Sequence, residues 1–250
     1  MPQVDSPAID LDVEEWVLGP STNISNEFGR PILIKVFQVN CPGCFTHGIP
    51  EVLEIRTKFI DSPLLIWGLT TAFEDFHLNN LENLKKLMDS GEVIGETLEV
   101  LCAKRLLNNN RLNYSIPFPV ALDNVVPYHP SDYLLAAQNF IKKDFPQFDS
   151  FPVKNQKLIS NQVMTYLKQK KFEAKTFEAY QLKGTPSPLL IDHKGILRGK
   201  WFGSGCGLEK EVKSFYLYEP ASGLLNPIRK MLVLYRKIHR IQILRLIWPF

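Results

Sequence analysis

Cys41 and Cys44 stand two residues apart in the run Asn40-Cys41-Pro42-Gly43-Cys44-Phe45. Thiols at that spacing can close into a disulfide, open again and pass the bond to another molecule. Whether they do depends on where the pair falls. Ahead of it, residues 31–39 form an apolar, β-branched run of strand length. Behind it, Phe45, Ile49, Val52 and Leu53 recur at the spacing of one helix face. The pair is therefore expected where a buried strand turns into a helix. Unpaired N–H groups and the positive end of the helix dipole favour a thiolate over a thiol at that place. In such Cys-X-X-Cys sites the leading sulfur's pKa falls from about 8.5 to about 3.5–7.5. This reading makes Cys41 the attacking thiolate and Cys44 the resolving thiol. Pro42 suits the first helical position, where its missing N–H would have had no partner. Gly43 leaves room for an incoming disulfide.

A zinc site and a chance pair in a turn are the plainer alternatives. Zinc takes four ligands, often as two close pairs, but Cys102 and Cys206 stand far apart and alone. The signal of Cys-X-X-Cys beside a strand–helix pattern is redox chemistry, with no metal. Cys102 follows Ile94, Leu98 and Leu101 at helix spacing, which assigns it to a core. Cys206 lies in the glycine-rich run 203–207, where its simplest reading is incidental and its sharper one a third redox thiol.

The elements that must hold this pair read as an α/β pattern. Residues 63–71 form a second buried-type strand, so strand, helix and strand make a βαβ unit with a parallel sheet at its heart. Leu81, Leu84 and Met88 mark a helix, and residues 117–123 a short third strand entered through prolines. Two further helices are expected, one over Tyr133, Ala136, Ala137, Phe140 and Ile141 behind a Ser131 cap, and one over Ile159, Val163, Tyr166 and Leu167. Residues 145–152 read as a loop. Apolar residues 189–191, a turn through 192–195 and a return over 196–201 make an antiparallel hairpin. A last helix is expected over 208–217. Residues 11–18 read as a short helical turn, with Trp16 a packing anchor.

Together these stretches resemble the thioredoxin superfamily, and within it the TlpA-like and AhpC/TSA-like redoxins, over roughly residues 5–218. The resemblance is carried by the strand ending in Cys41-Pro42-Gly43-Cys44, the later Gly184-Thr185-Pro186-Ser187, and the runs Phe118-Pro119-Val120-Ala121-Leu122-Asp123, Leu190-Ile191-Asp192-His193-Lys194-Gly195 and Trp201-Phe202-Gly203. It implies a thioredoxin-like fold, a central mixed β-sheet flanked by helices. Helical insertions would fall at about 78–112 and 125–175. It also implies that Cys41 is the nucleophile, Cys44 the resolving cysteine, and Pro186 a cis-proline that faces them beside Thr185 and lines the substrate-docking edge. No bound cofactor is required: a disulfide substrate and a thiol electron donor suffice.

The departures are informative. Asn40 precedes the first cysteine, where such proteins commonly carry Trp. Lys35 stands six residues before Cys41, where thioredoxins place a buried acid that moves protons for the resolving thiol. His47, about one turn beyond Cys44, could take that proton instead; its bland reading is a surface histidine. Glu74 is a weaker candidate for the same duty. A thiol peroxidase of the peroxiredoxin kind is the neighbouring alternative. Its Pro-X-X-X-Thr/Ser-X-X-Cys pattern, aligned on Cys44, fails at both Phe37 and Cys41. Arg198 could still hold an anion, though a solvated strand-end arginine is the simpler reading.

Of the 29 basic residues, six fall within 226–250 (Arg229, Lys230, Arg236, Lys237, Arg240, Arg245), where there is no acid, leaving a net acidic remainder. Residues 219–250 read as a basic, partly amphipathic extension to a domain over 1–218. It suits an anionic membrane surface or a partner protein, whereas nucleic acid is not expected. Neither a secretory leader nor an apolar run long enough for a span is visible. The expectation is a cytoplasmic protein, at most peripheral to a membrane. A redox-inactive redoxin-like interaction module is the third functional class to test.

Overall fold

The computed structural model describes residues 2–205 and 207–217. Cys206 and the basic extension 219–250 lie outside the described residues. Two units divide the chain between Cys206 and Gly207.

In chain order the first unit begins with β1 (Ser6–Pro7), β2 (Val13–Leu18) and β3 (Ile32–Phe37). A helical turn then leads into α1 (Ile49–Lys58), β4 (Leu65–Thr70), α2 (Leu81–Ser90) and α3 (Gly95–Ala103). The small hairpin β5 (Leu107–Asn108) and β6 (Arg111–Leu112) precedes β7 (Val120–Asp123) and β8 (Val125–Pro127). Next come α4 (Tyr133–Asp144), α5 (Val153–Gln169), β9 (Phe172–Ala174) and α6 (Lys175–Ala179). The hairpin β10 (Ser187–Ile191) and β11 (Ile196–Lys200) completes the unit. The second unit contains α7 (Leu208–Leu217).

Seven strands form one mixed sheet in the order β1-β11-β10-β3-β4-β7-β2. β3, β4 and β7 run parallel, and the flanking pairs are antiparallel. All six residues of β3 are buried, as a strand covered on both faces must be. Each large aliphatic side chain buried there contributes about 1.5–3 kcal/mol. The fold class is the α/β one expected. The register explains why two distant stretches meet. Ser187 pairs with Val36 and Ile191 with Ile32, so β10 starts where β3 ends. Residues 38–44 and 184–186 therefore emerge side by side at one end of these two central strands.

Several local expectations are corrected. Residues 13–18 are an edge strand, not a helical turn. β2 pairs with β7 through two register shifts, and those irregularities hide the strict alternation that identifies a strand. Trp16 does anchor packing, edge-on to Trp67 at 5.5 Å between ring centroids. The cap of α4 is Asp132, whose carboxylate accepts from Leu134 N and Leu135 N, instead of Ser131. Residues 145–152 hold a single 3-10 turn, Phe148–Ser150. Cys102 is exposed, not a core residue. On α3 the buried residues are Thr97 and Leu101, because the Thr97 hydroxyl donates to Val39 O at 2.9 Å. That bond rotates the stripe and turns Cys102 outward.

The two helix pairs, α2 with α3 and α4 with α5, pack in different ways. α4 and α5 pack on each other around Ala137, Ile141, Val163 and Leu167, a small core of their own. The β8–β9 ladder returns the chain to the sheet, with Val125 opposite Ala174. α3 instead meets the segment leading to the cysteines, with Glu96 N donating to Asn40 Oδ1 and the Thr97 hydroxyl to Val39 O.

Candidate active site

Cys41 and Cys44 form a disulfide, with their Cα atoms 5.4 Å apart. Cys41 ends the connection from β3, and Pro42 and Gly43 are already helical. Pro42 thus occupies the first helical position, where the absent N–H leaves nothing unpaired. The two sulfurs differ in access. Cys41 is partly exposed, whereas Cys44 is fully buried. Cys44 N, which donates to Cys41 O at 2.9 Å, also points at Cys41 Sγ from 3.3 Å, at a helix start whose dipole favours negative charge.

Residues Cys44–Gly48 wind as a π-helical turn, with Ile49 N donating to Cys44 O. Pro50 gives the reason. In a regular helix its ring would press on the carbonyl four residues back and its missing N–H would leave that carbonyl unpaired. Widening the preceding turn relieves both. The extra residue also shifts the apolar stripe, so Ile49, Val52 and Ile55 are the buried residues of α1 and Leu53 is only half-buried. Phe45 meets Phe37 of β3 edge-on at 6.0 Å, and its carbonyl accepts from Tyr114 Oη at 2.8 Å. Burial raises the Tyr114 pKa, so the phenol keeps its proton for that bond.

The facing loop is Gly184-Thr185-Pro186, with a cis Thr185–Pro186 peptide. Cys41 Sγ lies 3.7 Å from Thr185 O. Pro186 is wedged against the cysteine-bearing turn: a Cβ on Gly43 would sit 3.9 Å from Pro186 Cδ, and one on Gly48 only 2.8 Å from Pro186 Cβ. Gly48 is a residue that motif reading passed over. Its helical φ of −62° gives no hint, and only the proline ring opposite explains it. Three bonds fix the loop. Thr185 Oγ1 donates to Gln38 Oε1 at 3.0 Å, Ser187 Oγ to Gly184 O at 2.7 Å, and Gly203 N to Pro186 O at 2.8 Å.

Asn40, nearly buried, performs a structural task before the first cysteine. Its N donates to Asn79 Oδ1 at 2.8 Å, its Nδ2 to Asp75 Oδ2 at 2.9 Å, and its Oδ1 accepts from Glu96 N at 2.8 Å. One amide side chain therefore joins the cysteine loop to the loop after β4 and to the start of α3. The start of α3 thus helps to hold the loop on which Cys41 sits.

The proton-transfer candidates lie in different places. His47 is exposed, and its Nδ1 is 2.7 Å from Thr46 Oγ1. The Thr46 hydroxyl donates to Pro42 O at 3.0 Å, so the ring nitrogen is the donor of the pair and Nε2 is left as the acceptor. The side chain of Glu74 is exposed. It is the Glu74 carbonyl that meets Gln38 Nε2, at 3.4 Å. Arg198 is committed elsewhere, to Asp192 and Asp5 at 2.8 Å each, at the turn end of the β10–β11 hairpin. Lys35 is fully buried on β3 with its Nζ 3.3 Å from Glu51 Oε2 of α1. Glu51 Oε1 in turn accepts from Gly205 N at 3.3 Å. Among the described residues no cluster of side chains could hold a metal ion.

No family model and no curated protein match the chain. Solved structures do. It is similar to the crystal structure of a thioredoxin-like superfamily protein at 25% identity, over 86% of this chain and 99% of that one, with a TM-score of 0.51. It is similar also to a thiol-disulfide isomerase from Corynebacterium glutamicum at 24% identity, over 86% and 99% of the two chains, with a TM-score of 0.52.

Proposed function

We propose that this chain, a member of the thioredoxin-like superfamily by its fold, is a thiol–disulfide oxidoreductase working through Cys41 and Cys44. One observation carries the reading: a partly exposed sulfur joined to a fully buried one at the start of a helix, under a cis-proline loop. That asymmetry supports the division of roles. In the reduced protein Cys41 is the sulfur a substrate disulfide can reach, and the helix start favours its thiolate. The thiolate attacks one substrate sulfur, the other leaves as a thiol, and a mixed disulfide forms. Cys44, already beside Cys41 Sγ, then attacks that sulfur, releases the second substrate thiol and closes the internal disulfide. A thiol donor returns two electrons and resets the pair.

The remaining residues position these steps. Pro42 and Gly43 shape the approach to Cys41, and Thr185 with Pro186 forms the opposite wall. His47 is exposed on the cysteine-bearing turn, which suits exchange of protons with bulk water. The substrate class is a protein or small-molecule disulfide. The test is a trapping experiment. Cys44→Ser, incubated with a disulfide substrate, should accumulate a mixed disulfide at Cys41, and Cys41→Ser should lose turnover of a model disulfide by at least about 10³-fold, since the nucleophile itself is gone. Turnover that survives Cys41→Ser, or no trapped adduct with Cys44→Ser, overturns the proposal.

A further inference from the structure

Lys35 is the buried titratable group that these steps leave unused. Its side chain is entirely enclosed, on the strand that delivers Cys41, and it pairs with Glu51, whose side chain keeps 21% of its surface in solvent. Its end lies close to the dithiol. A Cβ on Gly48 would meet Lys35 Cε at 3.0 Å and Pro186 Cβ at 2.8 Å. The lysine therefore reaches the contact between the cysteine-bearing turn and the cis-proline. Gly48 is one turn beyond Cys44, which puts the ammonium about 6–8 Å from the sulfurs.

We propose that Lys35 is a positioning residue of electrostatic kind, the counter-charge that makes Cys41 acidic and its disulfide easier to reduce, with Glu51 tempering it. The inference rests on the redox reading above. In the oxidised protein the pair is neutral overall. Reduction adds two electrons to the Cys41–Cys44 bond from a dithiol donor, whose own disulfide forms, and two protons follow. The field of Lys35 lets one of those protons be lost to solvent near neutral pH, leaving Cys41 as thiolate and Cys44 as thiol. Other charged groups around the site are His47 on the same turn, Asp75 held by Asn40, and Glu96 at the start of α3. None of them is fully enclosed, so solvent screens each more than it screens Lys35.

A full charge at that distance, at an effective dielectric near 20, moves a thiol by roughly one to two pH units. Glu51 keeps part of its side chain in solvent while Lys35 keeps none, so screening lets it take back only part of this and leaves a net shift of about one unit. The test uses the full chain with Lys35→Met, which keeps the length of the side chain, and Lys35→Met/Glu51→Gln, which removes both members of the ion pair. Alkylation of Cys41 across pH in the reduced protein reads the thiolate, and equilibration with glutathione reads the disulfide. The expected order of Cys41 pKa is wild type lowest, the double variant about one unit higher, and Lys35→Met highest, because there Glu51 stands alone. The equilibrium constant for reduction should fall about tenfold in the double variant, or about 30 mV. If both variants keep the native circular dichroism and titrate with the wild type, the inference is overturned while the oxidoreductase reading stands. If the wild-type dithiol neither exchanges nor shows an acidic Cys41, it is that reading which fails.

Discussion

Replacing Gly48 by Ala isolates the contact on which the site's geometry depends. Gly48 has φ −62° and ψ −53°, so its backbone asks nothing of glycine, and in an isolated helix alanine would be better by about 1 kcal/mol. The added methyl decides the sign. It would stand 2.8 and 3.0 Å from two atoms of the Pro186 ring and 3.0 Å from Lys35 Cε, where ordinary contacts begin at 3.4 Å. The ring is fixed to a buried backbone, and the lysine is held by Glu51. Neither can swing away as a surface side chain would. Overpacking of this kind costs about 1–3 kcal/mol, and with both contacts held rigid the upper part of that range applies, so the net loss after the helix gain should be up to about 2 kcal/mol, a fall in Tm of up to roughly 4–8 °C for a unit of this size. Because relief must come by pushing the proline loop off the dithiol, disulfide turnover should fall by about tenfold, within the penalty expected for sub-ångström misplacement. Gly43→Ala is the control for stability. Its Cβ would meet Pro186 Cδ at an unstrained 3.9 Å, so its Tm should equal or exceed that of the wild type. Calorimetry of the oxidised proteins, with turnover measured alongside, checks the pair. A Gly48→Ala protein that melts no lower than the wild type and turns over normally would refute the claim that Pro186 is seated against this turn.

Asn40→Ala removes the Asp75 and Glu96 bonds and should cost about 2 kcal/mol, with faster amide exchange confined to the first turn of α3. Gln38→Leu leaves the Thr185 hydroxyl and the Glu74 carbonyl without this partner. A stability loss of about 1–2 kcal/mol and a raised KM for the disulfide substrate, at nearly constant kcat, should follow. Asp123 is pushed up to about 6 by burial, even though Thr71 Oγ1, Thr176 N and Phe177 N donate to it. A carboxyl whose folded pKa is raised stabilises the fold most below its unfolded pKa, near 4, and that contribution is lost as pH rises through 6. Denaturant titrations should therefore show the advantage of the wild type over Asp123→Asn shrinking between pH 4 and 7, by up to about 3 kcal/mol. An advantage constant over that range would refute the shift.

The parts of the molecule legible in the sequence are those where one physical cause dominates. Residues 31–39 and 63–71 read as strands because a strand covered on both faces must be apolar throughout, and β3 and β4 fall inside them. The hairpin of β10 and β11 was marked by its turn residues. β2 was missed because an edge strand with register shifts loses its alternation. Cys102 was misplaced because periodicity cannot see that a hydroxyl, Thr97 Oγ1, would be the group turned inward. Gly48 had no signature, since its constraint comes from a residue 138 positions away in the chain.

The departures from the expected pattern turn out to be linked. Asn40 stands where the resemblance leads one to expect Trp, and it ties the cysteine loop to the loop after β4 and to the start of α3. Lys35 replaces an acid, and the complementary acid appears on α1 as Glu51. A buried lysine without such a partner would carry a penalty of several kcal/mol, so Glu51 and Lys35 have to be read as one feature. Their order matters for chemistry. With the acid innermost, a buried group could accept the proton of the resolving thiol. With the cation innermost, the buried charge favours loss of that proton to solvent. A site arranged this way should respond to pH through the ionisation of Cys41 alone, with no second, slower proton step in its exchange kinetics. A kinetic solvent isotope effect on resolution by Cys44 substantially above that on the attack by Cys41 would contradict the arrangement.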